Sequence, residues 1–137
     1  MVNLHLHTYP VKEKQMKTRS AKAKGRRLQD WVRNKLIEIL SNGTHHFLNL
    51  EEEIKPAIMG EHGADVKLSS SVHHLFPFSI ECKNQEKYSA IYNAIDQARN
   101  HSRYPPIVFL KMNRKTPLVV LEAEKFMEVY FEKERLG

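Results

Sequence analysis

Two runs, Met59-Gly60-Glu61-His62-Gly63-Ala64-Asp65-Val66-Lys67-Leu68 and Phe76-Pro77-Phe78-Ser79-Ile80-Glu81-Cys82-Lys83-Asn84-Gln85, carry the most specific chemistry in the chain. A period of two predicts a strand over 76–83, with Phe78, Ile80 and Cys82 on one face and Ser79, Glu81 and Lys83 on the other. Asp65, 16 positions before Glu81, opens a second half-buried strand in which Asp65 and Lys67 share a face and Val66 and Leu68 take the other. Paired as a hairpin, the two strands bring both carboxylates onto one small cation. With the backbone carbonyl between Glu81 and Lys83, and with waters, they form an all-oxygen octahedral set of the kind Mg²⁺ prefers, completed by a phosphate. Lys83 then stands beside the metal to hold or deprotonate a water and to neutralise charge on the phosphate, which is the chemistry of phosphodiester hydrolysis.

An Asp in one strand and a Glu-x-Lys in the next also describe the solvated face of an ordinary sheet. Three features favour the catalytic reading: Gly60 and Gly63 bracketing the approach to Asp65, the apolar face behind Glu81, and a basic segment upstream. That segment holds Lys12, Lys14, Lys17, Arg19, Lys22, Lys24, Arg26 and Arg27 against the single acid Glu13, so its eight positive charges less one exceed the net charge of +6 of the whole chain. Such a block reads as a basic arm, residues 1–22, running into a helix, with a polyanion as its natural partner or a solubilising tail as the plain alternative.

The 137 residues support one core, so 23–137 is expected to be a single domain. No apolar run approaches the ~20 residues of a membrane span. The start Met1-Val2-Asn3-Leu4-His5 lacks the basic-then-apolar order of a signal peptide. Cys82 is the sole cysteine, which excludes an intrachain disulfide and suits a reducing compartment. A cytoplasmic protein with no membrane partner is the expectation. Because Cys82 alternates away from Glu81 and Lys83, it is expected to be a buried structural thiol rather than a nucleophile.

Leu28, Val32, Leu36, Ile39 and Leu40 trace one face of a helix over about 21–40, and Ser41-Asn42-Gly43 stops it. Lys22, Lys24, Arg26, Arg27, Gln29 and Arg33 make its first half the expected phosphate-gripping surface, while Trp31 is expected to belong to the core. Glu51-Glu52-Glu53-Ile54-Lys55-Pro56 reads as a solvated turn or short helix with Pro56 as interruption. One of its acids remains an alternative outer metal ligand. His5 and His7, and the pairs His45-His46 and His73-His74, are expected at the surface or in loops rather than as zinc ligands. A second helix over 86–102 buries Tyr88, Ile91, Tyr92, Ile95 and Ala98 and sets Asn93 and Gln97 one turn apart. Strands at 107–112 and 118–121 form a hairpin, and a last helix over 122–134 presents Phe126, Met127, Tyr130 and Phe131. The order implies the α/β class, a mixed central β-sheet flanked by helices.

Helix, Asp, 15 residues, Glu-x-Lys, helix, strand, strand resembles the PD-(D/E)XK nuclease superfamily. Lys24-Gly25-Arg26-Arg27-Leu28-Gln29, Met59-Gly60 to Asp65-Val66, Phe76 to Glu86, and Gln97-Ala98 look like a group of small phage-encoded nucleases similar in layout to archaeal Holliday junction resolvases. The resemblance covers about 23–126. It implies a restriction-endonuclease-like core and Mg²⁺-dependent cleavage of DNA to a 5′-phosphate and a 3′-hydroxyl. Mn²⁺ would substitute for Mg²⁺, and no small-molecule cofactor is needed. It further implies a homodimer and a phage-infected bacterial host. Asp65 and Glu81 match the metal acids, Cys82 the residue whose carbonyl completes the site, Lys83 the catalytic lysine, and Gln97 a polar helix position near many such active sites. Ala64 stands where the family name has proline. Gln29 stands where archaeal resolvases carry a glutamate, so the acid contact to a second metal or its water that the resemblance implies has no acid here. A four-way-junction resolvase and a site-specific or homing-type endonuclease both fit, and a DNA-binding module without catalysis is the alternative outside enzymes.

Overall fold

The computed structural model describes residues 9–43, 48–58 and 60–136 and, for 9–20 and 133–136, the backbone alone. His5, His7, His45, His46 and Met59 lie outside the described residues. Among the described residues the chain is a mixture of helices with two small antiparallel sheets. It divides into two compact units, Met1–Gln85 and Glu86–Gly137. The general α/β class is as expected. The strands, however, form two separate pairs, with β1 (Ile54–Pro56) beside β2 (Val66–Leu68) and β3 (Ile107–Leu110) beside β4 (Leu118–Leu121).

In the first unit, helix α1 runs from Tyr9 to Ser41, 33 residues, rather than from near Ala21. At 1.5 Å per residue it is about 50 Å long. Lys, Arg, Gln, Met and Ala are good helix formers, so 9–22 continues the helix although its sequence lacks an apolar stripe for periodicity to detect. Further along, the expected face is the one buried, with Leu36 and Leu40 no more than 1% exposed. Trp31 does not join them and is 39% exposed.

The short helix expected in the acidic run is α2 (Leu50–Glu53), and it leads straight into β1, a strand the sequence reading lacked. Pro56 ends β1 instead of breaking a helix; a strand end tolerates proline because no ladder donor is needed there. β1 and β2 pair with Ile54 opposite Leu68, Lys55 opposite Lys67 and Pro56 opposite Val66. Ile54 is fully buried and Val66 is 1% exposed, so this face of the sheet meets the core and α1. Arg33 ties the helix down: its Nε donates to the Ile54 carbonyl (2.8 Å) and its terminal nitrogen meets the Glu51 carboxylate (2.7 Å).

Helix α3 (Ser70–Leu75) starts where the Ser69 hydroxyl accepts the Val72 amide at 3.2 Å. It carries His73 and His74 on its exposed last turn, so this pair is helical and not in a loop. The strand expected over 76–83 contracts to one bridge, Ile80 antiparallel to Val66. Pro77 offers no N–H, and the Phe78 amide bonds back to the Phe76 carbonyl at 2.9 Å, which curls the chain before the bridge. Phe78 is consequently 40% exposed while Phe76 is 5% exposed.

In the second unit, a 3₁₀ turn (Glu86–Tyr88) precedes α4 (Ser89–Arg99), which buries Ile95 but leaves Tyr92 69% exposed. β3 and β4 form the expected hairpin, Phe109 opposite Val119, and the connecting turn places Arg114 at φ 64°. Helix α5 (Ala123–Leu136) buries Met127 and Phe131, and Tyr130 packs edge-on to Phe131 at 5.2 Å. Arg99 of α4 pairs with Glu122 at 2.9 Å.

Candidate active site

The site is assembled in the first unit from the segment before β2 and the segment around the Ile80 bridge. The chain approaches Asp65 through a tight loop whose two left-handed positions, Gly60 (φ 84°) and Gly63 (φ 111°), would strain any side-chain-bearing residue. Inside that loop Glu61 takes the Ile58 amide on Oε2 (3.0 Å), while its own amide donates to the Ile58 carbonyl (2.9 Å). Its Oε1 meets the Lys67 ammonium. The Lys67 ammonium, aided by the Ile58 amide, holds the Glu61 carboxyl below the usual carboxylate range.

Asp65 is bonded on both sides of its backbone: its amide donates to the Ile80 carbonyl (2.8 Å) and its carbonyl accepts the Ala57 amide (2.9 Å). The carboxylate is aimed as well, because Oδ2 accepts the Cys82 amide at 2.6 Å. A charge-assisted bond from a backbone amide is a rigid constraint, and it fixes one oxygen of Asp65 against the Glu81–Cys82 peptide. Glu81 and Lys83 extend from the same segment and meet as an ion pair at 3.1 Å, with side chains 60% and 58% exposed. Asp65, Glu81, Cys82 and Lys83, chosen from two separate stretches of sequence, therefore come together. Cys82 is half-buried. Burial first, then the negative charges of Asp65 and Glu81, pushes its thiol up, which keeps it protonated and unsuited to nucleophilic attack.

Among the described residues no three His, Cys, Asp or Glu side chains gather into a metal cage. The donors at Asp65 and Glu81 nevertheless suit a hard divalent cation, since Mg²⁺ keeps several waters and is held by one or two carboxylates plus substrate phosphate rather than by an all-protein cage. Glu53 does not join them. Its Oε2 is buried without a hydrogen-bond partner, but Glu53 lies at the other end of the β1–β2 ladder, where its carbonyl accepts the Ser69 amide.

Of the expected phosphate-gripping residues, Lys22, Lys24, Arg26 and Arg27 lie on an exposed stretch of α1, and Gln29 is half-buried. Arg33 is only 18% exposed and has the Ile54 carbonyl and Glu51 for partners, so it acts as a strut between α1 and β1. Gln97 sits exposed on α4, in the second unit. Sequence reading passed over Lys55 and Glu61; the first was hidden because β1 was not foreseen, the second because a lone Glu in a glycine loop has no motif. No family model, curated protein or solved structure matches the chain. Among the described residues no helix is long and apolar enough to cross a membrane.

Proposed function

We propose that the chain is a Mg²⁺-dependent DNA endonuclease with a restriction-endonuclease-like core, of the kind found in the PD-(D/E)XK superfamily. One observation carries the reading: Asp65 Oδ2 held at 2.6 Å from the Cys82 amide beside the Glu81–Lys83 pair at 3.1 Å. Asp65, Glu81 and the Cys82 carbonyl would hold the metal, which when bound supplies Lewis-acid polarisation of the phosphate. Lys83 holds the attacking water and offsets charge on the phosphate. The water oxygen bonds to phosphorus and gives up a proton to solvent as the bond to the 3′ oxygen breaks; the departing oxygen takes up a proton from solvent, leaving a 5′-phosphate and a 3′-hydroxyl.

The exposed cations of α1 would bind flanking backbone. A homodimer acting in the cytoplasm of a phage-infected bacterium completes the reading. Lys83→Ala is expected to lower the single-turnover cleavage rate by roughly 10²–10⁴-fold, the range for a positioned proton-transfer group, with DNA affinity little changed. An unchanged rate would remove Lys83 from the mechanism. Assaying a four-way junction beside a plain duplex of equal length separates a resolvase from a site-specific endonuclease.

A further inference from the structure

We infer that Lys55 and Lys67 form a second phosphate subsite, one step along the sheet from Asp65 and Glu81, which receives the phosphate next to the one being cut. The inference rests on the nuclease reading. Lys55 and Lys67 are directly opposite in the β1–β2 register, and their neighbours Ile54 and Val66 are buried on the core side, so both lysines occupy the outer face. Asp65 precedes Lys67 by two residues and is held in the same ladder by the Ala57 amide, which places it on that face too. Two residues of strand span about 6.6 Å, comparable with the separation of neighbouring phosphates on one strand.

Like charges on directly opposite residues, whose Cβ atoms stand about 4.5–5.5 Å apart, disfavour a ladder unless anions offset them, and a bound phosphate could do so for both. In the free protein each lysine has its own carboxylate: Lys55 meets Glu52 at 2.9 Å, and Lys67 meets Glu61 of the glycine loop. The Lys55 and Lys67 side chains remain 55% and 38% exposed. Exposed pairs of this type contribute little, so a phosphate that contacts both cations displaces the glutamates readily.

The test is binding of a labelled 30-base-pair duplex in EDTA, where no cleavage intervenes, followed over a range of salt for the unaltered protein, Lys55→Gln, Lys67→Gln and the double variant. The double variant is expected to bind roughly tenfold more weakly. Its slope of log affinity against log salt should fall in magnitude by about 0.9, the loss of one phosphate contact. Glu61→Gln, which frees Lys67, is expected to bind more tightly. Affinity and slope unchanged in the double variant, with thermal unfolding also unchanged, would overturn the subsite. Failure of the unaltered protein to cleave in Mg²⁺ would sink the nuclease reading instead, and the binding slope would still decide the subsite as a DNA contact.

Discussion

Asp65→Ala is expected to lower the rate of DNA cleavage by on the order of a thousandfold, since in the proposed mechanism losing a metal carboxylate would forfeit several kcal/mol of transition-state stabilisation at 1.36 kcal/mol per tenfold. The expectation comes from the position of Asp65 as much as from its charge. Its backbone joins the Ala57 and Ile80 segments and its side chain bonds the Cys82 amide, so it is the residue through which the glycine loop and the Glu81 segment are aligned. Asp65→Asn separates the two contributions. The amide oxygen can still accept the Cys82 N–H, so stability should be kept, whereas the anionic ligand is gone and cleavage should remain low. Single-turnover rates beside urea unfolding decide the matter; an Asp65→Asn protein that cuts at the normal rate would show that the carboxylate holds no metal.

Ile54→Ala is the substitution expected to cost most in stability, about 2–5 kcal/mol, the range for truncating a fully buried aliphatic side chain. Ile54 has no exposed surface, faces the same core as Leu36, Leu40 and Val66, and lends its carbonyl to Arg33. Truncation leaves a cavity under the strand that aligns β2 with the site. Ile54→Val, which removes one methylene, is expected to cost only about 0.5–1.5 kcal/mol. Trp31, the sole tryptophan, lies on α1 in the same unit, so its fluorescence follows this unfolding. A fall in urea midpoint with an unchanged slope is the expected pattern. An Ile54→Ala midpoint equal to that of the unaltered protein would contradict the packing described for this unit.

What could be read before the fold was known follows from the length of each signal. The apolar face from Leu28 to Leu40 repeats over several turns, and Leu36 and Leu40 are buried as the spacing requires. The hairpin β3–β4 was legible because two apolar runs flank a polar turn ending in Pro117. The start of α1 was not, because helix propensity without an apolar stripe leaves no periodicity, and the basic segment looked like an arm. β1 is three residues long and ends in proline, below the length at which alternation can be distinguished from chance. Over 76–83 the alternation is real in the sequence, yet Pro77 and the bond from Phe78 to Phe76 leave only Ile80 in the ladder.

The candidate residues that the structure brings together were easier to pick out than the strands that carry them. Asp65, Glu81 and Lys83 could be named because acid and base types at fixed spacing have chemical meaning even when the strand is reduced to a bridge. Lys55 opposite Lys67 could not, since cross-strand register joins residues from two stretches with no shared motif. Arg33 shows the opposite failure: its charge suggested a phosphate contact, but a carbonyl and a carboxylate lie within its reach.

The central claim is that Asp65, Glu81 and Lys83 hydrolyse DNA with a divalent metal, and its most direct measurement is a cleavage assay of the unaltered protein and Glu81→Ala on a labelled four-way junction and duplex, each in Mg²⁺ and in EDTA. The account predicts 5′-phosphate and 3′-hydroxyl products from the unaltered protein in Mg²⁺ alone, and none from Glu81→Ala. Binding of either substrate without cleavage in Mg²⁺ or Mn²⁺, or cleavage that survives both EDTA and Glu81→Ala, would contradict it.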